Sequence, residues 1–323
     1  MRGGRRKDGA LVAVRLCPLE YCSLTKLQEE VHLLRGLHHP NILQVFDSWM
    51  LNDHLLIVTP LMNYGSLTDV IHARFIFGLP ELAILLVLHD LLQAVHYLHK
   101  AHIIHRSIRG SHILVNACGT VCLSGFRYAT GMVRKGKRRQ VLHEFPVDSK
   151  TNLLWLAPEI LEQSLSGYGT RSDIYSIGIA VCEMANGFPP FSDMEHMQML
   201  LEKLRGTTPR LLDKHTCAEV PHPPDSAGPT EHMKRQFSQD LHSFTAACLE
   251  PKPAHRPAAH ELMQHHVFKQ IRKSRQTLAD VLQPLQPLSL AVLRGGSGKK
   301  SDLSQWLKPI NNDSFSSDFE WTF

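Results

Sequence analysis

No uncharged apolar run in this chain reaches the ~20 residues that a membrane-spanning helix needs. The nearest, Leu82 to Leu98, is broken by His89, Asp90 and His96. Arg2, Arg5, Arg6 and Lys7 crowd the N-terminus, but no apolar segment of a signal peptide follows them. Cysteine is scarce: seven residues, an odd number without CxxC spacing, speak for reduced intracellular thiols rather than a disulfide frame. One sign of charge is barely in excess, since 35 Lys and Arg against 30 Asp and Glu leave +5, weak ground for a nucleic-acid binder. Internal repeats are not visible. What is present is a globular composition, 43% hydrophobic and 20% charged, which excludes wholesale disorder, coiled coil and collagen. Its 323 residues suffice for a sizeable core, and a prior of about 150 residues per domain suggests about two folding units. The expectation is a soluble, intracellular, globular protein.

Local patterning gives a small strand-rich part and then a larger helical one. Val12 to Leu16 reads as a strand after the turn signal Lys7-Asp8-Gly9. From Ser23 to Leu37 the pattern is helical: Leu27, Val31 and Leu34 share a face, with Glu30 close to it. A His39-Pro40-Asn41 turn leads into two strand-like runs, Ile42 to Trp49 and His54 to Thr59, and Leu51-Asn52-Asp53 between them suggests a hairpin. Glu81 to Lys100 and Asp173 to Met184 read as long buried helices. The expected fold class is α+β and bilobal, with an N-lobe over about 11–62 and a C-lobe over about 63–271. Gly206 to Gln236, rich in Pro, Thr and Ser, reads as a flexible insert, and residues 272–323 as a mostly flexible tail.

Seven signals then appear in a fixed order. Val12-Ala13-Val14-Arg15 stands first, and Glu30 lies ten residues before Pro40 of the His-Pro-Asn-Ile turn. His105-Arg106-Ser107, Gly125-Phe126-Arg127 and an intact Ala157-Pro158-Glu159 follow. Asp173 sits in a Ser-Asp-Ile-Tyr-Ser-Ile-Gly stretch, and Arg256 precedes Pro257. The series resembles the protein kinases: the V-A-I-K strand, the helix-C glutamate, H-R-D, D-F-G, A-P-E, the buried helix-F aspartate and the late arginine that pairs with the A-P-E glutamate. Leu34, Val45, His105 and Phe126 match the stacked apolar spine of an assembled kinase. The ending Leu262 to Phe268 is most similar to the sterile-20 group.

The departures fall on the chemistry. Ser107 replaces the aspartate that handles the substrate proton, and a hydroxyl is far too weak a base near neutral pH. Its loss alone forfeits about 10²–10⁴-fold in rate. His112 and Gly125 replace the two metal ligands, so these three degenerate positions remove base and metal together. Arg15, Arg109 and Arg127 take the V-A-I-K lysine, catalytic-loop lysine and D-F-G glycine places. Three guanidiniums there suit a triphosphate without Mg²⁺. With Thr59 and Met62 they are the candidate nucleotide contacts; the competing account of each arginine is a solvated or locally paired side chain. Only ten residues precede Leu11, leaving no room for the first two N-lobe strands and their Gly-rich loop, which weakens the nucleotide reading.

Ser111-His112-Ile113-Leu114, Leu123-Ser124-Gly125-Phe126-Arg127, Arg171 to Ser176, Met197 to Leu204 and Phe268-Lys269-Gln270-Ile271 resemble the sterile-20-related adaptor (STRAD) pseudokinases. This resemblance implies no enzyme activity and no required cofactor, with ATP held without Mg²⁺ or turnover. It also implies a partner serine/threonine kinase, the liver tumour-suppressor kinase upstream of AMP-activated kinase, activated allosterically, with a helical-repeat scaffold as second partner. Retention of that kinase in the cytoplasm is implied too, with a cytoplasmic and nuclear location for the chain. Adaptors of this family end in Trp-Glu-Phe; here Trp321 and Phe323 are kept as candidate anchors and Thr322 replaces the glutamate. Arg134-Lys135-Gly136-Lys137-Arg138-Arg139 reads as a nuclear-import signal, an acidic-partner patch or a solvated basic loop. The 21 histidines follow turns and helix ends rather than a ligand set, so no structural zinc is expected. The rival readings are an atypical active kinase using Arg and His in place of metal, and a shortened, non-functional product.

Overall fold

The computed structural model describes residues 2–5, 11–20, 23–145, 150–218, 231–283 and 285. Its N-terminal part is a four-stranded antiparallel sheet carrying one helix. β1 (Arg2–Arg5), β2 (Leu11–Pro18), α1 (Leu24–Gly36), β3 (Asp47–Leu51) and β4 (His54–Pro60) follow in sequence, and the strands lie in the order β1-β2-β4-β3. The two-residue period of the strands sorts their side chains. Val12, Val14, Leu56 and Val58 pack on one face, while Cys17, Leu55 and Ile57 meet Leu27 and Val31 of α1 on the other. Arg15 shares the second face, which carries it to α1.

Two expectations change here. A strand does precede Leu11: β1 pairs with β2 from Arg2↔Val14 to Arg5↔Leu11, so Gly3 and Gly4 are ladder residues. Two successive glycines among arginines give no strand pattern, and only pairing with β2 makes this segment extended. The run Ile42 to Trp49 is a strand only from Asp47, because Ile42 and Leu43 join Leu123 of the other lobe instead.

The second part is built around helices. β5 (Gly65–Ser66), α2 (Leu67–Arg74) and α3 (Glu81–Lys100) open it, with Ser66 and Asp69 forming a reciprocal capping box at the start of α2. Short strands follow: β6 (Ile103–Ile104), β7 (Ile113–Val115), β8 (Val121–Leu123) and β9 (Thr130–Gly131). β10 (Val133–Arg134) and β11 (Lys137–Arg138) form a separate hairpin. The helices α4 (Pro158–Leu161), α5 (Arg171–Asn186), α6 (His196–Leu204), α7 (Lys214–Ala218) and α8 (Gln239–Cys248) come next. α9 (Ala259–Leu262), α10 (Lys269–Lys273) and α11 (Leu278–Leu282) complete the described chain. α3 is long and apolar enough to cross a membrane by length and composition, yet it lies mid-core, packed by α5, β8, α9 and α11. α5 is buried along its whole length behind its first residue.

Two boundaries also shift. Within the tail expected over 272–323, Leu278 and Leu282 of α11 are buried in the main core, while residues 286–323 lie outside the described residues. The insert expected over 206–236 is anchored at both described ends. Asp213, fully buried, accepts from Phe237 N (3.1 Å) and faces His242 Nε2 (2.9 Å), while residues 219–230 lie outside the described residues.

One ion pair ties the late chain to the A-P-E turn. Arg256 Nη1 and Nη2 donate to the two oxygens of Glu159 at 2.6 and 2.9 Å. Its remaining donors reach Glu250 O, Pro251 O and Arg171 O, so all five guanidinium N–H groups are used. That complete set offsets the cost of burying the charge.

Candidate functional site

The site grows from Asp173, a fully buried carboxylate in the first turn of α5. Its oxygens accept from His105 N (2.9 Å) and Arg106 N (2.8 Å), and His99 Nε2 lies at 2.9 Å. The His105 ring stands edge-on to Phe126 at 4.6 Å, and its Nε2 lies 3.0 Å from Ser124 O. Leu34 and Phe126 are buried in one core, with Val45 packed against it, so the spine read from the sequence is assembled. Above it Arg15 Nη2 donates to Glu30 Oε2 at 2.9 Å, which holds α1 inward. This is the framework of an active kinase.

The degenerate positions close on one another. Asn152 Nδ2 donates to Ser107 Oγ at 2.7 Å, and His112 Nδ1 lies 2.8 Å from Ser107 O and 3.1 Å from Ser107 Oγ. Arg109 Nη2 reaches His112 Nε2 at 3.2 Å. A guanidinium only donates, so Nε2 is the acceptor and the proton of the neutral ring sits on Nδ1. Burial, then the charge of Arg109, lowers His112 to about 3. The ring therefore offers Ser107 a donor rather than a base, and this serine–histidine pair is not an activated nucleophile. Gly125 has φ +81°, and a Cβ there would come closer to the His112 ring than real Cβ atoms come to anything. The imidazole fills the space beside the missing aspartate.

The three sequence-predicted arginines do converge. Arg15, Arg109 and Arg127 line one cavity of about 290 Å³, together with Glu30, His112 and Gly125. Arg109 also donates to Thr151 O at 2.9 Å and lies over the Trp155 ring at 5.7 Å. Arg15 Nε and Arg109 Nε are buried without an acceptor among the described residues. Thr59 and Met62 are not in this lining; Met62 packs with Leu43, Leu114 and Cys122. Trp321 and Phe323 lie outside the described residues. Among the described residues no group of three or more His, Cys, Asp or Glu is placed to hold a metal ion.

Three supports were not foreseen. Glu183, buried, accepts from Gly110 N, Trp155 Nε1 and Thr68 Oγ1, pinning the loop that carries Arg109. Arg106 donates to Tyr128 O, Glu144 O and Tyr168 Oη, while the Tyr168 hydroxyl donates to Glu144 O at 2.6 Å. Neutral oxygens thus hold the segment after Gly125. Lys203, also buried, donates to Leu153 O, Leu154 O and Leu156 O, and burial lowers its ammonium to about 7. Its spacing from Met199 on one face of α6 was the available signal.

The comparisons agree with this geometry. The protein kinase domain family model matches residues 1–268. Human STE20-related kinase adapter protein alpha is 40% identical over 311 residues, spanning 88% of this chain and 72% of that protein. The chain belongs to the STE20-related kinase adapter family. Another member, the chicken alpha protein, is 39% identical over 311 residues, covering 88% of this chain and 80% of its own length. The human beta protein is 34% identical over 304 residues, covering 85% of this chain and 73% of its own length. As an adapter-family chain it is a pseudokinase, and the replaced base and metal positions are the chemical reason.

Two predictions follow from His112. Gly125→Asp alone lowers stability by about 1–3 kcal/mol, because its Cβ overpacks against the ring. In a urea double-mutant cycle His112→Asn relieves much of that loss, and strictly additive effects would contradict the packing account. The second concerns pH. Burial holds His105 near 4 and His112 near 3, both below the ordinary value of about 6.5. As pH falls from about 6.5 toward about 4, the unfolded chain takes up protons that the folded one refuses. Stability is therefore fully present above about pH 6.5 and declines below it. Urea midpoints should drop between about pH 7.5 and 5, less steeply in His112→Asn; an equal slope in both refutes a contribution from His112.

Proposed function

We propose that this chain is a catalytically inactive adaptor that binds a partner serine/threonine kinase and activates it allosterically. The observation that carries the reading is the Arg15–Glu30 pair at 2.9 Å above an assembled spine, beside a catalytic loop with no base. An active-like face held without chemistry prefers the active conformation of its partner and shifts that partner's population toward it. Membership of the kinase adapter family supports the partner class, and family resemblance suggests the liver tumour-suppressor kinase upstream of AMP-activated kinase. The same resemblance suggests a helical-repeat scaffold that takes Trp321 and Phe323, and a cytoplasmic and nuclear distribution for the chain.

A nucleotide belongs to this reading as a ligand rather than a substrate. The cavity lined by Arg15, Arg109 and Arg127, with two orphaned Nε–H groups, suits the phosphates of ATP without a divalent ion. Its role is to brace Arg15 and Arg127 and so keep α1 inward.

Co-purification with the liver kinase and the scaffold tests the adaptor. The intact chain should capture both, and Trp321→Ala/Phe323→Ala should lose the scaffold; capture of neither by the intact chain ends the proposal. The nucleotide is tested separately by thermal unfolding with ATP in the presence of EDTA. Tm should rise with ATP concentration, and Arg127→Ala should abolish most of the rise. No rise in the intact chain removes the nucleotide and leaves the adaptor reading standing.

A further inference from the structure

The basic run in the segment after Gly125 is unused by the function above. Arg134, Lys135, Lys137, Arg138 and Arg139 place five cations within six residues. They build a two-stranded ribbon, β10 against β11, with Arg134 opposite Lys137 and Val133 opposite Arg138. Lys135 and Gly136 turn it with φ of 49° and 72°, the paired positive values of a type I′ hairpin. Every residue from Val133 to Val141 is exposed.

The ribbon is fixed at its base and unsatisfied at its tip. Met132 N donates to His102 O (2.7 Å), Arg139 N to Met132 O (2.8 Å) and Leu142 N to Tyr168 O (2.8 Å). Glu144 pairs with Arg134. Lys135, Lys137, Arg138 and Arg139 have no acidic partner among the described residues. Arg134 is balanced by Glu144, but the other four cations crowd a two-stranded ribbon whose shape is already set, and neighbouring like charges repel. An anion meeting it relieves repulsion and orders little.

We propose that this hairpin is a docking strand for an acidic, extended peptide segment of a partner protein. Among the described residues neither strand has a second neighbour, so both outer edges are open to pairing. Lysines and arginines on an open edge turn away ordinary strands and admit one that carries carboxylates. Side chains on one face of an extended peptide recur every ~7 Å, about the length of two strand residues, which suits the small cationic tip. Val133 and Val141 flank the charges as exposed apolar positions. They give contact to alternate side chains of a peptide, which a polyphosphate or a flat lipid surface does not use. None of its residues lines the arginine cavity, so it stands without the nucleotide proposal.

The test uses the full chain and fluorescence anisotropy of a labelled octapeptide of alternating Glu and Val. Binding should weaken with added salt. Lys135→Ala/Lys137→Ala/Arg138→Ala/Arg139→Ala should reduce affinity at least about tenfold, with its melting curve confirming a folded protein. A control that neutralises as many cations elsewhere, Lys252→Ala/Lys269→Ala/Arg272→Ala/Lys273→Ala, should stay within about twofold. A block peptide of four Glu followed by four Val should bind more weakly than the alternating one. The proposal is overturned if the hairpin variant binds as the intact chain does, if the control loses as much, or if both peptides bind equally. It is likewise overturned if phosphatidylserine vesicles or a thymidine oligonucleotide bind through the hairpin while the peptide does not.

Discussion

The rest of this structure depends on one buried carboxylate. Asp173 carries a charge with no exposure to water, an arrangement that is costly unless donors surround it. Three do: the backbone N–H groups of His105 and Arg106, and the His99 ring. Because two of them belong to the backbone of the catalytic loop, the path of that loop is set from α5 beneath it. The residues that would perform chemistry do not set it. Ser107, His112 and Gly125 therefore replace the usual groups while the loop keeps its course, and the His105–Phe126 stack still reaches up toward α1.

Buried charge elsewhere follows the same division. Glu159 and Arg256 satisfy each other in a bidentate pair, and Glu183 is surrounded by three donors. These groups specify one arrangement of the large lobe, since leaving any partner unpaired costs more than the pair itself contributes. Lys203 differs because its acceptors are three carbonyl oxygens and no carboxylate. It anchors the stretch just before the A-P-E turn, and Asn152, next to that stretch, holds Ser107. Helix α6 and the degenerate loop are thus joined by a short chain of hydrogen bonds.

Much of this was legible because it rests on local pattern. The limits of α3, the pairing of β3 with β4, and the spine residues follow from apolar periodicity and ordered motifs. So did the convergence of Arg15, Arg109 and Arg127, since each occupies a motif position whose place in the fold is fixed. What escaped depends on distant partners. Nothing in Arg2–Arg5 predicts a strand until β2 lies beside it, and nothing near Tyr168 announces Arg106, 62 residues earlier in the chain. Asn152 and Lys203 matter only through backbone groups that they meet in space. The packed helix at Leu278–Leu282 was hidden by its five-residue length, too short for a periodic signal.

The electrostatics of the cavity explain why these replacements occur as a set. An active kinase balances its lysine with carboxylates that hold Mg²⁺, and the metal in turn neutralises phosphate. Among the described residues of this lining Glu30 is the one acid, already paired with Arg15, while Arg109 and Arg127 are further cations and His112 is held neutral. A divalent cation would meet repulsion there as well as a lack of ligands, and the cost rises in a partly buried, low-dielectric setting. A single restored aspartate would be attracted by that field, yet its Cβ would run into the His112 ring. The substitutions are coherent: the positions that would hold a metal have lost their carboxylates, three arginines line the same cavity, and the framework around it keeps its course.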